Sequence, residues 1–180
     1  MSKKVLIIST SLRKNSNSEA LAKAFADGAL STGNEVETVS LTGKDIAFCK
    51  GCLACQNLGH CIIKDDALEI TEKMKNAEVI AFATPIYYYE MSGQMKTLLD
   101  RLNPLYTSDY RFRKVCMIAT AAEDSDSAFE KAYNGLLGWV DCFEKAELCD
   151  LVAGGGIGDS GDTKNHADAL RRAYELGKAL

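Results

Sequence analysis

Residues 4–21, KVLIISTSLRKNSNSEAL, decide the fold because they place a strand, a polar loop and a helix start in direct succession. The apolar run within residues 4–9 is nearly continuous, which is typical of a strand buried on both faces of a parallel sheet. Further on, Leu21, Phe25 and Ala29 recur at helical spacing behind serines that can act as N-caps. This unit predicts the first step of a parallel α/β sheet.

The same alternation of strand and helix continues to the end of the chain. Further apolar runs cover residues 35–41, 79–83, 115–120 and 146–152, and helical periodicity covers residues 65–75, 92–102, 126–143 and 163–180. Such alternation is typical of a doubly wound α/β fold with right-handed crossovers. We therefore predict one domain over residues 1–180, with a five-stranded parallel sheet in the order 2-1-3-4-5 and helices on both faces.

Composition and charge exclude several classes of protein. The 180 residues are 47% hydrophobic and 26% charged, as in an ordinary globular domain. A net charge of −4 argues against nucleic-acid binding, which requires a basic surface. The apolar runs are too short to cross a bilayer, and the first is too short for a signal peptide. We therefore expect a cytoplasmic protein without a membrane or nucleic-acid partner, whose seven cysteines are kept reduced.

The loop after the first strand is a candidate phosphate site. Ligands of doubly wound sheets bind beyond the carboxyl ends of the strands, near strand 1. Hydroxyl and amide donors, one cation and a helix N-terminus suit a phosphate there. The loop matches neither the P-loop nor the G-x-G-x-x-G pattern, and a turn that merely caps the helix is the alternative. The candidate residues are Ser9, Ser11, Arg13, Ser16, Asn17 and Ser18.

The loop after the third strand, TPIYYYEMSG at residues 84–93, can cradle a flat heteroaromatic ring with its aromatic and backbone groups. Together the two loops resemble the flavodoxin-like NAD(P)H-dependent FMN reductase superfamily. The first loop matches the pattern S-x-R-x-x-S-x-[ST]. The second loop is the start of a longer match, residues 84–101, to the pattern T-P-[IV]-Y-x-x-x-M-[ST]-G-x-[ML]-K-x-x-[LI]-D-R. Taken separately, three tyrosines are more often packing or interface residues.

The resemblance implies a cofactor, a reaction and an assembly. FMN would place its phosphate on the first loop, NAD(P)H would supply hydride, and a small molecule or protein would accept the electrons. The flavin ring commonly lies near a subunit interface in this superfamily, which implies a homodimer or homotetramer. The residues that match the ring-binding loop are Thr84, Pro85, Ile86, Tyr87 and Tyr88, with Thr120 added from the fourth strand.

Residues 49–61, CKGCLACQNLGHC, hold four cysteines spaced C-x2-C-x2-C-x5-C. This spacing resembles the motif of iron–sulfur flavoproteins, a branch of the same superfamily, and implies a [4Fe–4S] cluster near the flavin. A cubane takes one thiolate per iron, and short spacings let one loop wrap it. Cluster-free thiols, disulfides and zinc are the alternatives. The four candidate ligands are Cys49, Cys52, Cys55 and Cys61, whereas Cys116, Cys142 and Cys149 are predicted to be small core residues.

The sequence thus predicts an FMN-dependent NAD(P)H oxidoreductase or electron-transfer flavoprotein. No side chain is expected to act as a general acid or base, because a flavin carries the chemistry itself. Two alternatives belong to other classes. One is a flavodoxin-type electron carrier without its own nicotinamide reaction, and the other is a redox- or metal-sensing module built on the cysteines.

Overall fold

The computed structural model describes residues 2–180 and is organised around one sheet. Five parallel strands lie in the order β2-β1-β3-β5-β6, which confirms the predicted order, and a short sixth strand, β4, pairs antiparallel with β3. The strands are β1 (Lys4–Ser9), β2 (Glu35–Ser40), β3 (Val79–Tyr87), β4 (Glu90–Met91), β5 (Lys114–Thr120) and β6 (Glu147–Gly154).

Helices cover both faces of the sheet and enclose two hydrophobic cores. The helices α1 and α6 pack on one face, and α3, α4 and α5 pack on the other. The side chains of β1 alternate between these cores because successive residues of a strand point to opposite faces. The helices are α1 (Asn17–Ser31), α2 (Ala54–Leu58), α3 (Ala67–Asn76), α4 (Gly93–Arg101), α5 (Ser127–Val140) and α6 (Ala167–Lys178).

Two glycines let α1 and α6 pack with their backbones in close contact. A Cβ atom added to Gly28 would lie 2.0 Å from the carbonyl oxygen of Tyr174, and one added to Gly177 would lie 2.0 Å from that of Phe25. Any side chain at either position would therefore push the helices apart. The contact fixes α1, whose N-terminus follows the candidate phosphate loop.

Several local predictions differ from the structure. The helix predicted over residues 163–180 begins later, because Asp162–Asn165 forms a short 3-10 helix before α6. Cys116 is buried as predicted, but Cys142 is exposed because α5 ends before it, and Cys149 is half-buried on β6 at the sheet edge. Among residues 2–180, no helix is long and apolar enough to span a membrane.

Candidate functional site

The carboxyl ends of β1, β3 and β5 meet at one edge of the sheet. Ser9 pairs in register with Ala83, and Pro85 pairs with Thr120. Ser9, Thr84 and Thr120 are all buried there. The structure therefore brings together residues from all three predicted strand-end positions.

The loop after β1 gathers small polar side chains at the start of α1. Ser11, Ser16, Asn17 and Ser18 are buried, whereas Arg13 is exposed. The Ser16 hydroxyl caps the helix by accepting from the backbone N–H of Glu19 at 3.5 Å, and it lies 3.1 Å from the Ser18 hydroxyl. Caps leave the remaining first-turn N–H groups free, and these groups together with the helix dipole favour an anion. The predicted phosphate residues thus surround one helix N-terminus.

A second loop that the sequence analysis missed lies beside this one. Arg13 Nη1 donates to the carbonyl oxygen of Gly158 at 2.9 Å, and Asn17 Nδ2 donates to that of Asp159 at 2.7 Å. The Thr163 hydroxyl donates to Asn17 Oδ1 at 2.8 Å. The glycine-rich run GGGIGDSG at residues 154–161 was the available indication of a loop at this strand end.

Hydrogen bonds join the phosphate loop to the ring-binding loop. The hydroxyls of Thr10 and Ser92 lie 3.0 Å apart, and the Thr10 hydroxyl also donates to the carbonyl oxygen of Ala83 at 3.0 Å. The backbone N–H of Ser92 donates to the Thr84 hydroxyl at 3.0 Å. Because Ser92 also caps α4 by accepting from Met95 N–H at 3.3 Å, the start of α4 is held by both loops.

The ring-binding loop forms a hairpin whose turn contains two tyrosines with a left-handed backbone conformation. Ile86 pairs with Met91 across the hairpin, and the turn residues Tyr88 and Tyr89 have φ of 52° and 67°. Positive φ at both central positions is typical of a type I′ turn, which favours Asn-Gly, and bulky side chains are strained there. Tyr88 is 98% exposed. Strain of this kind is concentrated at functional loops.

The second turn tyrosine is anchored to the loop after β5. The Tyr89 hydroxyl donates to Glu123 Oε2 at 2.8 Å, and this hydrogen bond raises the pKa of Tyr89. The ammonium of Lys131 lies 5.4 Å from the centroid of the same ring, within range of a cation–π contact. The hairpin tip therefore bridges the ends of β3 and β5, leaving Tyr88 projecting.

The four predicted cluster ligands line one cavity of about 500 Å³. Cys55 is buried on α2, Cys61 is half-buried, and Cys49 and Cys52 are exposed. The Asn103 amide donates to Cys55 Sγ at 3.2 Å. All seven cysteines are free thiols, and within residues 2–180 no three His, Cys, Asp or Glu side chains converge closely enough to hold a metal ion.

The cavity lies between the cysteine loop and two helix ends. The loop between β2 and α3 forms one wall, and the C-terminal ends of α4 and α5 with the segments that follow them form the other. The N-terminal end of α4 contacts the ring-binding loop through Ser92. The two candidate sites are therefore at opposite ends of α4.

Each site has one buried polar atom without a hydrogen-bond partner. Within residues 2–180, Ser9 Oγ and Arg101 Nε are the buried side-chain nitrogen or oxygen atoms that have no hydrogen-bond partner. Ser9 lies at the end of β1, and Arg101 lines the cysteine cavity. Such atoms are costly unless something pairs with them. The donors at the first site fit a phosphorylated flavin. The four thiols at the second are the ligand type that an iron–sulfur cluster takes, although no three of them converge closely enough in this structure to hold a metal ion.

Comparisons with known proteins agree with this geometry. The family model described as NADPH-dependent FMN reductase matches residues 3–137. An iron-sulfur flavoprotein of Methanocaldococcus jannaschii is 32% identical over 98% of this chain and 95% of its own, and one of Methanosarcina thermophila is 32% identical over 86% and 81%. An NAD(P)H:quinone oxidoreductase from Methanothermobacter marburgensis shares the fold with a TM-score of 0.79 at 18% identity, covering 100% of this chain and 98% of that one. This chain belongs to the NADPH-dependent FMN reductase family, and within it resembles the iron–sulfur flavoproteins.

Proposed function

We propose that this protein is an FMN-dependent NAD(P)H oxidoreductase whose four-cysteine loop holds a [4Fe–4S] cluster and delivers electrons to a small-molecule or protein acceptor. Family membership supports the coarser part, an FMN-dependent oxidoreductase or electron-transfer flavoprotein. The observation that carries the proposal is the hydrogen-bond network of Thr10, Thr84 and Ser92, because it joins the two loops that match the FMN motifs. FMN and the cluster, when bound, supply the exchange between two-electron and one-electron chemistry.

The residues of the first loop would bind and neutralise the phosphate. Ser11, Ser16 and Ser18 offer hydroxyl groups beside the N-terminus of α1, and Arg13 adds a positive charge at the rim. Asn17 holds the glycine-rich loop against this site through Asp159 and Thr163. Charge neutralisation by one arginine and a helix N-terminus suits a phosphate monoester.

The residues of the ring-binding loop would orient the flavin and shape access to it. Thr84 and Pro85 fix the backbone at the end of β3, Ile86 and Tyr87 continue into the hairpin, and Tyr88 extends from its tip. Thr120 lies opposite Pro85 and would border the flavin from β5. Exposed aromatic side chains at the tip leave the site open to a nicotinamide or an acceptor.

The experiment that tests both cofactors is a spectrum of protein purified without oxygen, combined with assays of FMN, iron and sulfide. We expect flavin bands, a broad shoulder from thiolate–iron charge transfer, and about four irons per chain. Replacing Cys55 by serine should remove most of the iron while FMN remains. Cys142 lies on the same cavity but outside the motif, so Cys142→Ser is the matched control and should keep its iron.

The reaction is tested by steady-state oxidation of NADPH and NADH with a quinone as acceptor. Turnover supports the oxidoreductase. Bound flavin that is reduced only by a stronger donor, without nicotinamide oxidation, would make the protein an electron carrier instead. Absence of both flavin and iron would contradict the proposal and favour a cysteine-based sensor.

A further inference from the structure

A single buried side chain holds both ends of the cysteine loop. Arg101, the last residue of α4, is 1% exposed. Its Nη1 donates to the carbonyl oxygen of Ala47 at 2.7 Å, and its Nη2 donates to that of Ile63 at 3.3 Å. Ala47 precedes Cys49 by two residues, and Ile63 follows Cys61 by two residues. One guanidinium therefore closes residues 48–62 into a loop that contains all four motif cysteines.

Asp65 fixes this guanidinium and reinforces the closure. Its carboxylate accepts from Arg101 Nη1 at 2.5 Å and from Nη2 at 2.9 Å, and the two side chains are 4% and 0% exposed. The same carboxylate accepts hydrogen bonds from the backbone N–H groups of Ala47 at 2.9 Å and Ala67 at 3.1 Å. A planar guanidinium fork allows this bidentate geometry, and a lysine ammonium does not.

Arg101 also faces the cavity that the cysteines share. Its Nε is buried without a hydrogen-bond partner, although its other two nitrogens are fully engaged. The hydrogen bond with Asp65 raises the pKa of Arg101, against the opposing effect of burial.

We propose that Arg101 is a positioning residue for the cysteine loop: with Asp65 it clamps Ala47 and Ile63, so that the four thiols face one cavity before any cluster arrives. The proposal rests on the function proposed above insofar as the loop receives a [4Fe–4S] cluster. The clamp itself is a property of this chain and can be measured without the cluster. Residues 48–62 would lose their closure, but not the fold, when the fork is removed.

Two variants, called the fork variants, remove the paired guanidinium hydrogen bonds of Arg101 in different ways. Arg101→Lys keeps the positive charge beside Asp65 but cannot span both carbonyls. The double variant Asp65→Leu with Arg101→Met leaves no buried charge unpaired, so the fold is retained even if the single variant is unstable. The matched control is Lys23→Met with Asp27→Leu, which removes an ion pair that is 75% and 51% exposed on α1.

Hydrogen–deuterium exchange of the FMN-bound, iron-free protein measures the clamp. We expect amides within residues 48–62 to exchange at least about tenfold faster in both fork variants. In the double variant the amides of Ala47 and Ala67, which lose the Asp65 carboxylate as acceptor, should exchange faster as well, and the remaining amides should be unchanged. In protein loaded with iron, the ratio of iron to FMN should fall in these variants and stay at the wild-type value in the control. A residue that merely supports the fold would lower iron and FMN together.

The outcomes separate this inference from the proposed function. If wild-type protein binds no iron, the cluster proposal fails, and the exchange comparison still decides whether Arg101 clamps the loop. Wild-type exchange rates across residues 48–62 in both fork variants would overturn the inference. Parallel loss of iron and FMN would overturn it as well, even if the cluster is present.

Discussion

Arg13 is the residue on which the phosphate proposal is most directly tested. Its guanidinium lies at the surface with one hydrogen bond, to Gly158, and stands beside the N-terminus of α1. Removing it by Arg13→Ala should cost about 1.5–3 kcal/mol of FMN binding, the usual strength of a charge-assisted hydrogen bond. The dissociation constant for FMN would then rise by about tenfold to a hundredfold, measured by quenching of flavin fluorescence.

Riboflavin provides the internal control for this substitution because it lacks the phosphate. Its affinity should be the same in wild type and Arg13→Ala. Lys14→Ala removes a neighbouring exposed charge and should leave both affinities close to wild type. Equal weakening of riboflavin and FMN would show that Arg13 shapes the loop and does not bind the phosphate.

Asp65 makes stability depend on pH in a predictable direction. Burial opposes ionisation of this carboxyl, but the hydrogen bonds from Arg101 and from the Ala47 N–H outweigh it and lower the pKa of Asp65. A lowered folded-state pKa gives stability that is complete above the unfolded value of about 3.9 and is lost as pH falls through the folded value. Urea unfolding of Asp65→Leu with Arg101→Met should therefore depend less on pH below about 4 than wild type. Equal slopes would contradict this.

At the scale of elements, the β3–β4 hairpin carries strain that a substitution can relieve. Tyr88 has φ of 52° and a side chain 98% exposed, so replacing it removes almost no packing. Asn adopts this conformation more readily than Tyr, and strained residues cost about 1–3 kcal/mol. Tyr88→Asn should raise Tm by about 2–4 °C, measured by thermal unfolding of the flavin-free protein. A lower Tm would show that the tyrosine stabilises the turn.

The elements that the sequence predicted are those whose pattern is set by burial. β1 and β3 are buried on both faces and give continuous apolar runs, so both strands were correctly predicted. The predicted end of β3 at residue 83 was wrong, because the strand continues through the pairing of Thr84 and Pro85 with β5 and ends at Tyr87. The hairpin strand β4 was missed because its Tyr-Tyr turn lacks the Asn-Gly preference of such turns. The helix α2 was missed because five residues are too few to show helical periodicity.

The parts of the candidate site that were missed depend on contacts distant in sequence. Nothing local to Asn17 indicates that it binds Asp159 and Thr163, more than a hundred positions away. Likewise, the spacing of the cysteines gives their grouping but not their place beside the C-terminal ends of α4 and α5. That place follows from Arg101, whose buried ion pair only the folded chain reveals.

At the scale of the whole molecule, five of the ten large apolar side chains that are exposed within residues 2–180 lie in the cysteine loop or line its cavity. Large apolar residues are usually scattered on the surface of a monomer, and a contiguous group indicates an interface. The five at the cysteine loop are Phe48 (79%), Leu53 (55%), Leu58 (53%), Ile62 (51%) and Tyr106 (58%).

We accordingly expect a homo-oligomer that Phe48→Lys combined with Ile62→Lys dissociates. Burial of a large apolar side chain contributes about 1.5–3 kcal/mol, so the pair should raise the dissociation constant by at least about a hundredfold. Light scattering coupled to size exclusion should then give the monomer mass of 19.5 kDa. Leu30→Lys, at a position 53% exposed on the distant helix α1, is the matched control and should leave the assembly intact. A wild-type mass of one chain, or equal dissociation by Leu30→Lys, would contradict an interface at the cysteine loop.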